Sequence, residues 1–115
     1  MRVSVLGASY ELKYRLKGQD KALEGCDGYC DTSVKCIVVR DYTEAERQDP
    51  GNLKDLDAYK RKCMRHELTH AFLYESGLSV NGTSPESWST CEEIVDWMAI
   101  QGPKLYAAWQ RAGCL

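Results

Sequence analysis

The sequence has no long apolar run, and several protein classes fall away with it. Nowhere does it reach the roughly 20 consecutive apolar residues that a bilayer-crossing helix needs, so no membrane span is expected. The stretch from Met1 to Glu11 is broken at Ser4 and is too short for a signal-peptide core, so the expected location is cytoplasmic. Basic runs are equally scarce. The longest is Tyr59-Lys60-Arg61-Lys62, which reads as the solvated side of a helix. With 15 basic and 17 acidic side chains and a formal net charge of −2, no phosphate-tracking surface is indicated. Neither nucleic acid nor membrane is therefore expected as a partner. Repeats, low-complexity tracts and linkers are also missing. The 115 residues read as a single domain, 1–115.

What is present suits an ordinary core: 43% of residues are hydrophobic and 28% charged. The six cysteines, Cys26, Cys30, Cys36, Cys63, Cys91 and Cys114, come without a secretory context, so free thiols are expected rather than disulfides. Cys26, Cys30 and Cys36 could supply a second metal site, but they lack the tight pair typical of zinc knuckles.

Residues 2–16 alternate as strand material, with a break at Gly7. Residues 17–28 read as a loop or short helix, residues 33–40 as a β-branched strand, and Gln48–Asn52 as a turn. A long helix is predicted from about Leu53 to Ser76, stopped by Gly77. Asn81-Gly82 reads as a turn. A second helix is predicted from Ser84-Pro85-Glu86 to about Gln101, ending at Gly102-Pro103, with a last short helix over 104–112.

The chemistry lies in His66-Glu67-Leu68-Thr69-His70, an HExxH pattern. On a helix, positions i and i+4 stack on one face, so two imidazoles can hold one metal ion. The glutamate between them can reach a water at the metal without itself being a ligand. At roughly 100° per residue, Leu56, Tyr59, Cys63, His66, His70 and Tyr74 form one stripe. Glu67 falls inside the same apolar arc, where an uncompensated carboxylate is costly. The chain has only two histidines, so a third protein ligand must be a carboxylate or a thiolate. Helical projection of the second helix puts Glu92 with Trp88, Val95 and Ala99 on its buried side. Glu93 points about 100° away from it. Asp96, one turn after Glu92, is placed to accept the free N–H of a liganding histidine.

HELTH followed by Glu92-x-x-x-Asp96 resembles the gluzincin metallopeptidases, with Cys91 where many members have asparagine. The small size, and strands placed before the HExxH helix, are similar to the phage and mobile-element zincins of the ImmA/IrrE type. The detailed resemblance covers roughly residues 33–101. It implies an α+β fold of minimal zincin type, with a small twisted sheet over the active-site helix and Glu92 delivered by a second helix. It further implies a zinc-dependent peptidase, possible phage or prophage origin, and a peptide or protein substrate of narrow range. In this picture His66, His70 and Glu92 hold Zn²⁺, Asp96 supports a ligand, Glu67 is the general base, and the strand 33–40 offers an edge for substrate. No spare histidine exists to stabilise an oxyanion, which leaves Tyr42, Tyr74 and Tyr106 as candidates. Two rival readings remain open at this level: a zinc-binding regulatory or interaction module with little proteolysis, and a metal-free interaction domain.

Overall fold

Near its start the chain reverses over two residues, Leu6 and Gly7, with φ of 49° and 91°. Paired left-handed conformations suit the twist of a two-residue hairpin, and they join β1 (Arg2–Val5) to β2 (Ala8–Leu16). The computed structural model describes residues 1–80 and 87–115. Among them it is an α+β arrangement of four strands in one mixed sheet and three α-helices. The expected turn at Asn81-Gly82 and the expected helix start at Ser84-Pro85-Glu86 lie outside the described residues.

After β2 come two single-turn 3-10 segments, Lys17–Gln19 and Lys21–Glu24, and then β3 (Gly28–Asp31) and β4 (Cys36–Asp41). The sheet order is β1-β2-β4-β3, with β2 and β4 parallel and the other pairs antiparallel. This corrects the expectation for residues 33–40. Residues 32–35 form a turn that includes Lys35 at φ 54°, and the strand behind it is internal rather than an edge. The reason lies in its composition. Ile37, Val38 and Val39 are all buried, as befits a strand covered on both faces. The edge falls to β3, whose residues Gly-Tyr-Cys-Asp carry no strand signal of their own.

Helix α1 (Glu44–Gln48) was not anticipated from the sequence. It starts on a capping box between Thr43 and Glu46, and the expected turn follows at Asp49–Asn52. The long helix α2 spans Leu56–Glu75, capped by the Asp55 side chain on the Ala58 N–H at 2.8 Å and stopped at Gly77, φ 81°. Its Cys63, Met64 and Ala71 pack on Val5, Tyr10, Ile37 and Val39 to form the core. The Tyr10 hydroxyl donates to Glu75 at 2.8 Å, and Lys35 pairs with the same carboxylate. The last turn of α2 is thereby tied to the sheet.

Two expectations for the C-terminal part are corrected. Residues 88–90 form a 3-10 turn, and α3 begins only at Glu92. It then runs unbroken to Ala112, with Gly102 and Pro103 inside it. Proline has no N–H for the carbonyl four residues before it, here that of Ala99. That carbonyl accepts instead from Arg65 Nε of α2 at 2.6 Å, and Ala99 is fully buried. A side chain from another helix thus replaces the missing bond.

Arg65→Met should cost about 1–3 kcal/mol, the penalty of orphaning a buried acceptor. In a Pro103→Ala background residue 103 regains its N–H, so most of that cost should vanish. Urea denaturation of the two single variants and the double variant checks this. Strictly additive effects would contradict it.

Candidate metal centre

His66 and His70 lie one turn apart on the inward face of α2, with Nε2 atoms 3.1 Å from each other. Glu92, in the first turn of α3, brings Oε2 to 3.0 Å from His66 Nε2 and Oε1 to 3.3 Å from His70 Nε2. The outer ring nitrogens are both engaged. His66 Nδ1 faces Asp96 Oδ1 at 2.7 Å, and His70 Nδ1 faces the Ser89 carbonyl at 2.6 Å. A carboxylate and a carbonyl only accept, so each Nδ1 must carry the hydrogen. Both Nε2 lone pairs are then left pointing at the same small volume as the Glu92 carboxylate.

Three acceptors with no donor among them repel unless a cation lies between them. Among the described residues, this is the group whose ligand atoms converge, all within 4.8 Å of one another. A tetrahedron with arms of ~2.0–2.1 Å to nitrogen or oxygen has edges of about 3.3 Å. The three separations lie close to that. Two neutral imidazoles and a carboxylate are also the donor set of open zinc sites, so the residues fit the ion.

The sequence placed Glu92 on the buried side of its helix. The structure keeps it in line with Val95 and Ala99, but at the mouth of the site with its side chain 66% exposed. The first helical turn has no neighbouring turn above it to cover the side chain. Trp88, placed on the same buried side, is half-exposed in the 3-10 turn. Glu93 is exposed and lies outside the converging group. The thiol alternative also recedes. Cys26, Cys30 and Cys36 do not converge among the described residues. Burial pushes the Cys30 thiol up to about 12, with the Glu67 charge adding to it, so it stays protonated.

Glu67 is 8% exposed, and no hydrogen bond reaches its carboxylate among the described residues. Burial pushes its pKa up to about 7. His70 opposes this shift and the Glu92 charge adds to it. Its space depends on Gly28 in β3. A Cβ there would stand 3.3 Å from Glu67 Cγ and Oε1 and 3.2 Å from the Val38 carbonyl. This role was not legible beforehand, because Gly28 ends a stretch that reads as loop. Ser89 was missed too, since its contribution is a backbone carbonyl. That carbonyl is aimed by the 3-10 turn, whose Ser89 N–H bonds the Leu78 carbonyl at 3.1 Å.

His66, Glu67, His70, Glu92 and Asp96 all line one cleft of about 710 Å³ between β3, α2 and the start of α3. Of the three tyrosines considered for an oxyanion, Tyr74 lines this cleft and Tyr42 does not. Tyr106 lies on a separate groove between α2 and α3. Tyr29 and Tyr59 line the cleft as well, but their hydroxyls are committed to Asp20 at 2.7 Å and Asp27 at 2.6 Å.

Zinc titration in competition with a chromophoric chelator separates the two glutamates. Glu92→Ala should lose at least the ~10–100-fold that removal of an outer support costs, and Glu93→Ala should bind like the wild type. The opposite ranking would contradict this assignment.

Compared with protein-family models, curated proteins and solved structures, the chain matches none of them, so its function has to be inferred from these side chains.

Proposed function

We propose that this chain is a zinc-dependent metallopeptidase of minimal zincin fold, with His66, His70 and Glu92 as ligands and Glu67 as general base. The observation that carries this reading is the pairing of two features in one cleft. Three acceptors converge on a point, and beside them stands a buried carboxylate committed to no donor among the described residues. A purely structural zinc site has no use for that carboxylate, and burying it unpaired is costly.

When bound, zinc supplies a Lewis acid that acidifies a water and polarises a carbonyl oxygen. The protein does the rest. Asp96 and the Ser89 carbonyl hold the imidazoles in the tautomer that presents Nε2. Glu67 takes the proton of the attacking water and carries it to the leaving amide nitrogen. Gly28 keeps the space in which its carboxylate moves. The edge for an extended substrate is β3, at the cleft wall, in place of the internal strand that the sequence pointed to. No described helix is long and apolar enough to cross a membrane.

Glu67→Gln should retain zinc and fold while lowering turnover by ~10²–10⁴-fold, the range of a lost general base. Mass spectrometry of a diverse peptide mixture incubated with zinc-loaded wild type and variant reads the difference. Equal cleavage by the two would remove Glu67 from the chemistry, and loss of zinc in the variant would make it a ligand.

A further inference from the structure

The basic run 59–62 is not the solvated helix side that its composition suggests. Arg61 is exposed, but Lys60 is turned in to pair with Asp41 at 2.6 Å. Lys62 is half-buried and lines the cleft of the metal centre, the one lysine or arginine to do so among the described residues. Its ammonium stands 4.9 Å from the centroid of the Tyr59 ring. The ring is fixed in turn by its hydroxyl, which donates to Asp27 at 2.6 Å.

Lys62 makes no ion pair among the described residues, in contrast to Lys13, Lys35, Arg40, Arg47 and Lys60. Three of the four acids that line the cleft are already committed, and the fourth, Glu67, is buried and makes no ion pair with Lys62 among the described residues. Glu92 and Asp96 face the histidines, and Asp27 takes the Tyr59 hydroxyl and stands 3.5 Å from Arg40. An ammonium resting on an aromatic face keeps part of its interaction energy, and it remains free to meet an anion.

Position adds direction. Lys62 is four residues before His66, about 6 Å along α2, and helical side chains lean towards the N-terminus. Its ammonium therefore lies along the cleft from the metal centre, not over it. At ~3.3 Å per residue, an extended chain beside β3 would bring a side chain a few residues from the scissile bond to this point.

We infer that Lys62 is a specificity-determining residue that selects peptides carrying an acidic side chain on one side of the scissile bond. Tyr59 is its platform, and Asp27 holds that platform in place. This inference rests on the peptidase reading. It adds to that reading the chemical class of the substrate.

The test uses the full chain, zinc-loaded, with Glu67→Gln to prevent turnover. The probes are fluorescent alanine-rich heptapeptides in which one Glu, Gln or Lys is walked through the sequence. At one or two adjacent positions Glu should bind on the order of tenfold tighter than Gln, as one charge-assisted contact allows. Lys62→Glu should move the preference to Lys at the same positions, with zinc content unchanged. If that variant fails to fold, Lys62→Gln should abolish the preference instead. Binding without charge preference, or a preference that survives the Lys62 substitutions, overturns this inference and leaves the peptidase reading standing. No binding of any peptide, with no cleavage by the wild type, removes both.

Discussion

Each histidine of α2 gives its Nδ1 hydrogen to an acceptor on the opposite wall of the cleft, and the rest of the site is arranged by that constraint. Asp96 fixes one ring from α3, and the Ser89 carbonyl fixes the other from the turn before it. Once both rings are held in that tautomer, two lone pairs and the Glu92 carboxylate are directed at one another. The contacts that stabilise the rings individually therefore create a collective demand for positive charge. A cation is the simplest answer to it, and zinc matches the donors in type and spacing.

The scaffold serves this constraint through a few long-range contacts. Tyr10 and Lys35 anchor the far end of α2 on Glu75, so the helix carrying both rings cannot slide on the sheet. Arg65 bonds Ala99 of α3 at the point where Pro103 removes a helical bond. It thereby stabilises α3 just beyond Asp96 and sets the spacing of the two helices. On the third side, β3 approaches Glu67 so closely that only glycine fits at position 28 without displacing something. Helix spacing and the His66 tautomer are both held between α2 and α3, the His70 tautomer between α2 and the 3-10 turn, and the strand approach between β3 and α2.

How much of this was legible in the sequence follows the range of the interactions. His66, Glu67 and His70 belong to one helix turn, so their common inward face can be read from periodicity alone. Glu92 and Asp96 are local to a second helix in the same sense, and their projection could be drawn without knowing where that helix docks. Contacts made by backbone or by absence left no trace, as with the Ser89 carbonyl and the missing Cβ of Gly28. Pro103 was read as a stop because the group that compensates it lies on another helix. The strand over 33–40 was given an edge role by the resemblance alone, whereas its unalternating run Ile37–Val39, buried on both faces, belongs inside the sheet. Lys62 looked solvated because charge in a short run does not reveal which side of a helix faces a cleft.

Everything proposed for this site depends on a metal cation between His66, His70 and Glu92. The most direct test is elemental analysis of the full chain purified without chelator, followed by zinc titration of any metal-free fraction. About one zinc per chain is expected at saturation, with protection against thermal unfolding that grows with free zinc. A chain that is metal-free as purified, takes up no zinc and gains no thermal stability from it would rule out a metal at this site. The converging acceptors would then have to be neutralised by a proton on one imidazole instead.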